Sequence, residues 1–372
     1  MPPLSALVRN GRLFARTAWK AFHPAVPPYL IYFVTHRCNA RCSFCFNRGN
    51  QEKANADDEL DAREVYKIAE KFRGVIHVTL TGGEPFLRED LYEPARAFVN
   101  AGAESLTIAT NGTLTERIVE TAGQLLDEFP GLSFDLDLSV DGPAELHDRL
   151  RGVPGAHEKV MTSAKKLAPL QEKHPGFRLG ASVTVCAFNQ DTAEQTVREL
   201  AESGLFRRVQ VLWVRGRPFD PKATDADFSV YQACRRYLDA TRLATGGSKA
   251  KEALSRRARE VVSRTVKENR MVLPCRAGTT MATMDPYGNV YPCEMLWQVS
   301  PEGDPGHGLH DWVMGSLRDK DFDIKKVLAT DKARKVRQWI KDRKCFCSFE
   351  CAAYNNIVFN PRAWPGVIKS WK

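Results

Sequence analysis

From residue 30 to residue 215 the sequence alternates strand-like and helix-like segments, and this rhythm limits the fold more than any other feature. Apolar, β-branched runs occur at residues 30–35, 75–81, 105–110, 134–140, 179–185 and 209–214. Between them the spacing predicts helices over 60–72, 115–129 and 192–203; the first carries Val65, Ile68, Ala69 and Phe72 on one face. Alternating elements imply a parallel sheet with covering helices. Six strands joined by right-handed crossovers give either an open doubly wound sheet or part of a barrel. In both, chemistry gathers where loops leave the strand C-terminal ends.

The chain has 372 residues, 43% hydrophobic and 27% charged, enough for a sizeable core. Mean hydropathy is −0.37. No apolar run approaches the ~18–20 residues of a membrane-spanning helix, which excludes an integral helical membrane protein. The net charge of +9 permits an acidic partner without requiring one. The N-terminal segment shows no continuous apolar stretch or small-residue cleavage site of a secretory signal, so the expected location is cytoplasmic. There, clustered cysteines read as metal ligands rather than disulfides. Eight of the ten cysteines fall into an early and a late group; Cys186 and Cys234 stand apart and read as small buried hydrophobes.

Four regions follow. Residues 1–28 form a basic amphipathic segment, with Leu4, Leu7, Val8, Phe14, Ala18 and Phe22 near helical spacing and Arg9, Arg12, Arg16 and Lys20 between them. Such a helix packs on its own protein body or lies peripherally on a membrane surface. Residues 29–218 hold the β/α rhythm, and 219–272 form a charged helical connector with a break at Gly246-Gly247. Residues 273–372 form a small cysteine-rich module.

Cys38, Cys42 and Cys45 lie within eight residues, directly after the first strand. A loop of this kind can wrap one iron–sulfur cluster and leave one iron without a cysteine. The alternative, a zinc site completed by His36, lacks the usual pairing of cysteines at short spacing with a distant second pair. The C-x3-C-x2-C loop resembles that of the radical S-adenosylmethionine (SAM) superfamily. The resemblance covers roughly residues 30–215 and implies a partial (β/α)6 TIM-like barrel. It also implies a [4Fe–4S] cluster that binds SAM through its open iron, with Phe44 beside the adenine.

Further stretches agree with this resemblance. Gly82-Gly83-Glu84-Pro85 follows the second strand and matches the stretch that holds the methionine amino group; Asn111 follows the third strand. Ser139, after the fourth strand, and Arg151 resemble ribose and carboxylate contacts, and an Arg fork suits a carboxylate. The glycines are read as letting backbone approach a ligand closely. Glu84 is read as a cofactor contact rather than a folding element.

In the late group, Cys275 and Cys293 bracket a hairpin signature at 285–289, and Cys345, Cys347 and Cys351 return three more thiols. This resembles the SPASM or "twitch" extension of radical SAM enzymes, with fewer cysteines than the full pattern. Five thiols fully ligate only one [4Fe–4S] cluster, expected on Cys275, Cys293, Cys351 and one of Cys345 or Cys347. A four-cysteine zinc site is the alternative. The module is expected to cap the open strand ends. Glu294, next to Cys293, matches the neighbourhood of an acidic base in sulfatase-maturing relatives.

The expected function is an enzyme that cleaves SAM reductively and uses the 5′-deoxyadenosyl radical to take hydrogen from a substrate. That substrate is a peptide or protein side chain, or a sugar or lipid-linked molecule, and one auxiliary [4Fe–4S] cluster assists. A flavodoxin or ferredoxin is the expected electron donor. The competing classes are RNA modification, through cations such as Arg207-Arg208, Arg215, Arg217, Arg256-Arg257 and those of 332–344, and plain electron transfer. No nucleic-acid partner is expected, because no RNA-binding module accompanies these charges.

Overall fold

The computed structural model describes residues 16–241, 249–297, 311–342 and 345–370. Six strands pair in chain order and all parallel: β1 (Tyr29–Thr35), β2 (His77–Gly82), β3 (Ser105–Thr110), β4 (Ser133–Ser139), β5 (Phe177–Val185) and β6 (Arg208–Trp213). Helices α1 (Ala62–Lys71), α2 (Tyr92–Asn100), α3 (Thr115–Glu128), α4 (Ala144–Arg151), α5 (Ala156–Leu167) and α6 (Gln190–Glu202) fill the crossovers. α1 starts at a capping box: the Glu64 N–H donates to Asp61 Oδ1 at 2.8 Å, and the Asp61 N–H to Glu64 Oε2 at 3.1 Å. Val65, Ile68 and Ala69 are its buried face, as the spacing predicts.

The strands divide their side chains with a period of two. Along β4, Phe134, Leu136 and Leu138 join the hydrophobic core, while Ser133, Asp135, Asp137 and Ser139 line an interior cavity. β2 and β3 repeat the pattern with Thr79 and Thr107 facing inward. The lumen is therefore roomy, with polar side chains from these strands set among apolar ones. Inside it Arg178 pairs with Asp135 at 2.5 Å, and Arg208 with Asp135 and Asp137.

The sheet does not close: β6 is one end of its strand order, and β1 turns its other edge to a later strand. After α7 (Phe228–Thr241) and α8 (Lys249–Glu268), which fill the expected helical connector, β7 (Met281–Met284) pairs parallel with β1, Tyr29 opposite Met281. β8 (Asn289–Tyr291) and β9 (Gly315–Ser316) then add antiparallel. Gly246-Gly247 lie outside the described residues. The late module thus extends the barrel sheet sideways and satisfies the free edge of β1. It does not cap the strand ends as expected.

Following α9 (Asp331–Lys341), α10 (Glu350–Val358) bridges the gap between β6 and β1. The Trp213 N–H donates to Glu350 Oε1 at 3.0 Å, and Asn355 Nδ2 to Thr280 Oγ1 at 2.9 Å, next to the Thr280 carbonyl that accepts from the Tyr29 N–H. α11 (Trp364–Lys369) ends the described chain. A short helix over 16–22 packs Ala21 against Ile76 and Phe359. The rest of the basic segment, including Leu4 to Phe14, lies outside the described residues. Cys186 and Cys234 are fully buried, as read from the sequence.

Candidate active site

The loop after β1 carries Cys38, Cys42 and Cys45 into a cavity of 1910 Å³ that spans the barrel lumen. Neighbouring backbone pins this loop. The Arg41 and Ser43 N–H groups donate to the Arg151 and Leu150 carbonyls at 2.8 and 3.1 Å, and Phe219 donates to the Cys45 carbonyl at 3.0 Å. Each sulfur has an N–H donor: Ala40 N to Cys38 at 3.4 Å, an Arg151 guanidinium nitrogen to Cys42 at 3.7 Å, and Gln51 Nε2 to Cys45 at 3.6 Å. Burial pushes Cys38 up to about 12 and Cys45 up to about 11; Cys42 also rises, against the pull of Arg151. The thiols stay protonated until a metal displaces the proton. Three soft donors on one wall, each with a donor to offset thiolate charge, fit a three-cysteine [4Fe–4S] cluster. His36 does not join them. Its ring sits 5.7 Å from Tyr287 and 6.1 Å from Phe33, outside the cavity lining, and burial lowers it to about 4.

Gly82 and Gly83 line the cavity, but their glycine requirement comes from behind. A Cβ would stand 2.2 Å from the Thr35 carbonyl oxygen at Gly82 and 2.2 Å from that of Arg37 at Gly83. The missing side chains admit the cysteine loop's own backbone. Pro85 opens a buried turn behind them. Glu84 is fully buried and absent from the cavity lining. Its Oε1 accepts from Thr110 Oγ1 at 2.7 Å and the Phe86 N–H at 3.1 Å, and its Oε2 from the Asn111 N–H at 2.7 Å. The side chain ties the loop after β2 to the loop after β3, a structural role that its reading as a cofactor contact did not include. Glu84→Gln turns one acceptor arm into a donor facing an N–H or O–H. The expected cost is about 1–3 kcal/mol in denaturant unfolding. Unchanged stability with weakened SAM affinity would assign it the cofactor role instead.

Asn111 bridges to the cysteine loop, donating to Asn39 Oδ1 at 2.8 Å. The Ser139 hydroxyl lines the cavity and makes no side-chain hydrogen bond within the described residues. Arg151 donates through Nε to Asp141 Oδ2 at 2.7 Å and lies over the Phe44 ring at 5.3 Å. Asp141 is itself held by the Thr184 N–H at 2.8 Å. Phe44, Asn111, Ser139 and Arg151 thus share one wall with the three thiols.

The late thiols divide into two places. Cys293 lies within electrostatic reach of Cys275, Cys345 and Cys347, and Cys345 and Cys347 within that of Cys275. Cys347 is exposed as a residue, yet its sulfur is enclosed enough to be pushed up to about 12. Cys351 instead lines the lumen, within electrostatic reach of Glu294 and Arg215. Glu294 is buried and lines the same lumen; Arg215 donates to its Oε1 through two nitrogens at 2.9 and 2.7 Å. Arg215 also stands 3.9 Å from Glu350 Oε2 and over the Phe349 ring at 4.8 Å.

Arg215, Glu350, Tyr29 and the lumen charges are the residues that sequence reading missed. The strict alternation Ser133, Asp135, Asp137, Ser139 in β4 was the available signal for the lumen. Nothing local marks Arg215, whose partners lie 79 and 135 positions away.

Comparison with known proteins agrees with this geometry. Residues 32–200 match the radical SAM superfamily and residues 275–352 an iron–sulfur cluster-binding (SPASM) domain. The chain thus carries a radical SAM domain followed by a SPASM domain, which imply a SAM-binding [4Fe–4S] cluster, SAM and additional iron–sulfur. It is 27% identical over 229 residues to a pre-heme d1 synthase of Dinoroseobacter shibae (59% of this chain, 53% of the relative). It is 31% identical over 182 residues to an AdoMet-dependent heme synthase of Methanosarcina barkeri (48% of each). The chain spans about half the length of these relatives. Among solved structures it is similar to Streptococcus suis SuiB bound to precursor peptide SuiA, with a TM-score of 0.57 and 17% identity over 88% of this chain and 72% of that one. It is also similar to anSMEcpe with bound AdoMet and a Cp18Cys peptide, with a TM-score of 0.55 and 16% identity over 93% and 99%.

Proposed function

We propose that this enzyme cleaves SAM reductively and abstracts hydrogen from a bulky organic substrate of peptide or macrocycle size. The supporting observation is that one cavity of 1910 Å³ joins the three-thiol loop to the Glu294–Arg215 wall. Small-ligand pockets occupy about 300–1,000 Å³, so this space exceeds what the cofactor alone requires. The relatives' names cover tetrapyrroles and GTP, and the similar folds include peptide-bound enzymes; the size of the lumen favours the larger of these.

When bound, the first cluster supplies the electron that releases the 5′-deoxyadenosyl radical from SAM. Cys38, Cys42 and Cys45 would hold that cluster. Arg151 offsets thiolate charge at Cys42 and presents a guanidinium to a carboxylate. Phe44 offers an aromatic face, and Ser139 a free hydroxyl for a ribose. Cys275, Cys293, Cys345 and Cys347 would hold one auxiliary cluster. Glu294, held by Arg215, would take a proton from substrate in the lumen. The RNA-modifying alternative loses part of its support, since Arg208 and Arg215 are part-buried in ion pairs and Arg257 pairs with Glu260 at 2.6 Å.

The test is anaerobic incubation of the reconstituted protein with SAM and dithionite. Equal amounts of methionine and 5′-deoxyadenosine are expected. Absence of cleavage by protein that holds its first cluster would overturn the proposal.

A further inference from the structure

We infer that the face formed by the helix over 16–22 and α11 is a docking surface for an anionic lipid membrane. Six large hydrophobic side chains stand exposed among the described residues, and three of them are here: Trp19 at 64%, Phe22 at 62% and Ile368 at 69%. Trp19 and Phe22 are three apart on one helix face, Trp364 and Ile368 four apart on another. The Phe22 and Trp364 rings meet edge to face at 6.4 Å, which joins the two faces into one patch. Ala21, on the opposite side of its helix, is the residue that holds this helix to the body. Trp19 and Phe22 are therefore not needed for packing and point outward.

Charge selects the occupant. Residues 1–28 contain Arg9, Arg12, Arg16 and Lys20 and no Asp or Glu. Residues 351–372 contain Arg362, Lys369 and Lys372 and likewise no acidic residue. Arg362 and Lys369 are exposed beside the patch, and Arg16 pairs with Glu104 at its edge. Aromatic and aliphatic side chains bordered by Lys and Arg are the composition that inserts at a headgroup boundary. No described helix is long and apolar enough to cross a membrane, so the contact is peripheral. Arg16, Thr17, Val358 and Phe359 also line the lumen, so docking here sets the N-terminal mouth of the barrel against the lipid surface.

The test is co-sedimentation of the full chain, clusters loaded, with phosphatidylglycerol/phosphatidylcholine vesicles and with phosphatidylcholine alone. Binding to the anionic vesicles should be at least about tenfold stronger and should fall as salt rises. Trp19→Ser/Phe22→Ser/Ile368→Ser should lose at least about tenfold of that binding, with iron content and thermal transition unchanged. Arg362→Glu/Lys369→Glu, which leaves the apolar residues in place, should weaken it about fivefold or more per cation. Equal affinity for both vesicle types, no sedimentation at low salt, or wild-type binding by both variants would overturn the inference. So would a concentration-dependent dimer that the triple variant abolishes, without vesicle binding, because the patch would then serve a second copy of the chain.

Discussion

Cys42→Ala is expected to abolish formation of 5′-deoxyadenosine and to remove about half of the protein's iron, from roughly eight atoms per chain to roughly four on the four-iron cluster stoichiometry. Cys42 is the most enclosed of the three early thiols and the one that Arg151 faces. Without it two sulfurs remain on the loop, too few to hold a cluster that already gives up one protein ligand to SAM. The fold should survive. The loop is pinned through backbone groups of Arg41, Ser43 and Cys45, which the substitution leaves in place. Losing a buried sulfur costs about 1 kcal/mol, well below typical domain stability. Iron analysis, a SAM cleavage assay and a thermal scan on the same preparation separate the outcomes. Unchanged iron with cleavage retained would remove the early loop from the active site. Stoichiometric zinc in freshly isolated protein would assign it to a different metal.

The barrel was legible because its signals are local. β3 falls on the predicted residues, and the other strands within two residues at each end, since each is a β-branched run bounded by a turn. α2 was not individually anticipated. It carries Pro94 in its first turn, where the missing N–H costs nothing, and this breaks the apparent helical pattern. The cysteine loop, Phe44, Asn111 and Ser139 were legible because each lies at or just past a strand end; Arg151 closes the helix that follows β4. The structural role of Glu84 was not legible because its partners, Thr110 and Asn111, lie at and just past the end of the next strand. Sequence position placed Glu84 at the site without saying which way its carboxylate turns. Arg215 read as a surface cation and proves to be the buried link between Glu294 and Glu350. The lateral placement of the late module escaped for a related reason. Whether a hairpin caps a barrel or joins its edge depends on the free side of β1, and only the assembled sheet reveals that side.

The late thiols give the second large effect, and it discriminates between two ligand sets. Spacing and family resemblance put Cys351 on the auxiliary cluster; in the structure Cys293 lies within electrostatic reach of Cys275, Cys345 and Cys347, while Cys351 lines the lumen near Glu294 and Arg215. Cys347→Ala should therefore lower iron from roughly eight to roughly four per chain, on the four-iron stoichiometry. It should spare reductive cleavage of SAM, because Cys38, Cys42 and Cys45 lie on a different wall. Cys351→Ala should retain both clusters, with iron unchanged. It removes one lumen-lining sulfur and leaves the Tyr29 hydroxyl its Thr79 Oγ1 partner at 3.3 Å, so its stability cost should stay at about 1 kcal/mol. Electron paramagnetic resonance of the reduced variants reads the result without any substrate: one cluster signal in Cys347→Ala, two in Cys351→Ala. The reverse pattern, with iron lost from Cys351→Ala and kept in Cys347→Ala, would show that the SPASM spacing prevails and that the α10 N-terminus turns to meet the cluster. In that case Cys347 becomes the spare thiol. Loss of iron from both variants would require both sulfurs as ligands and would release Cys275 or Cys345 instead.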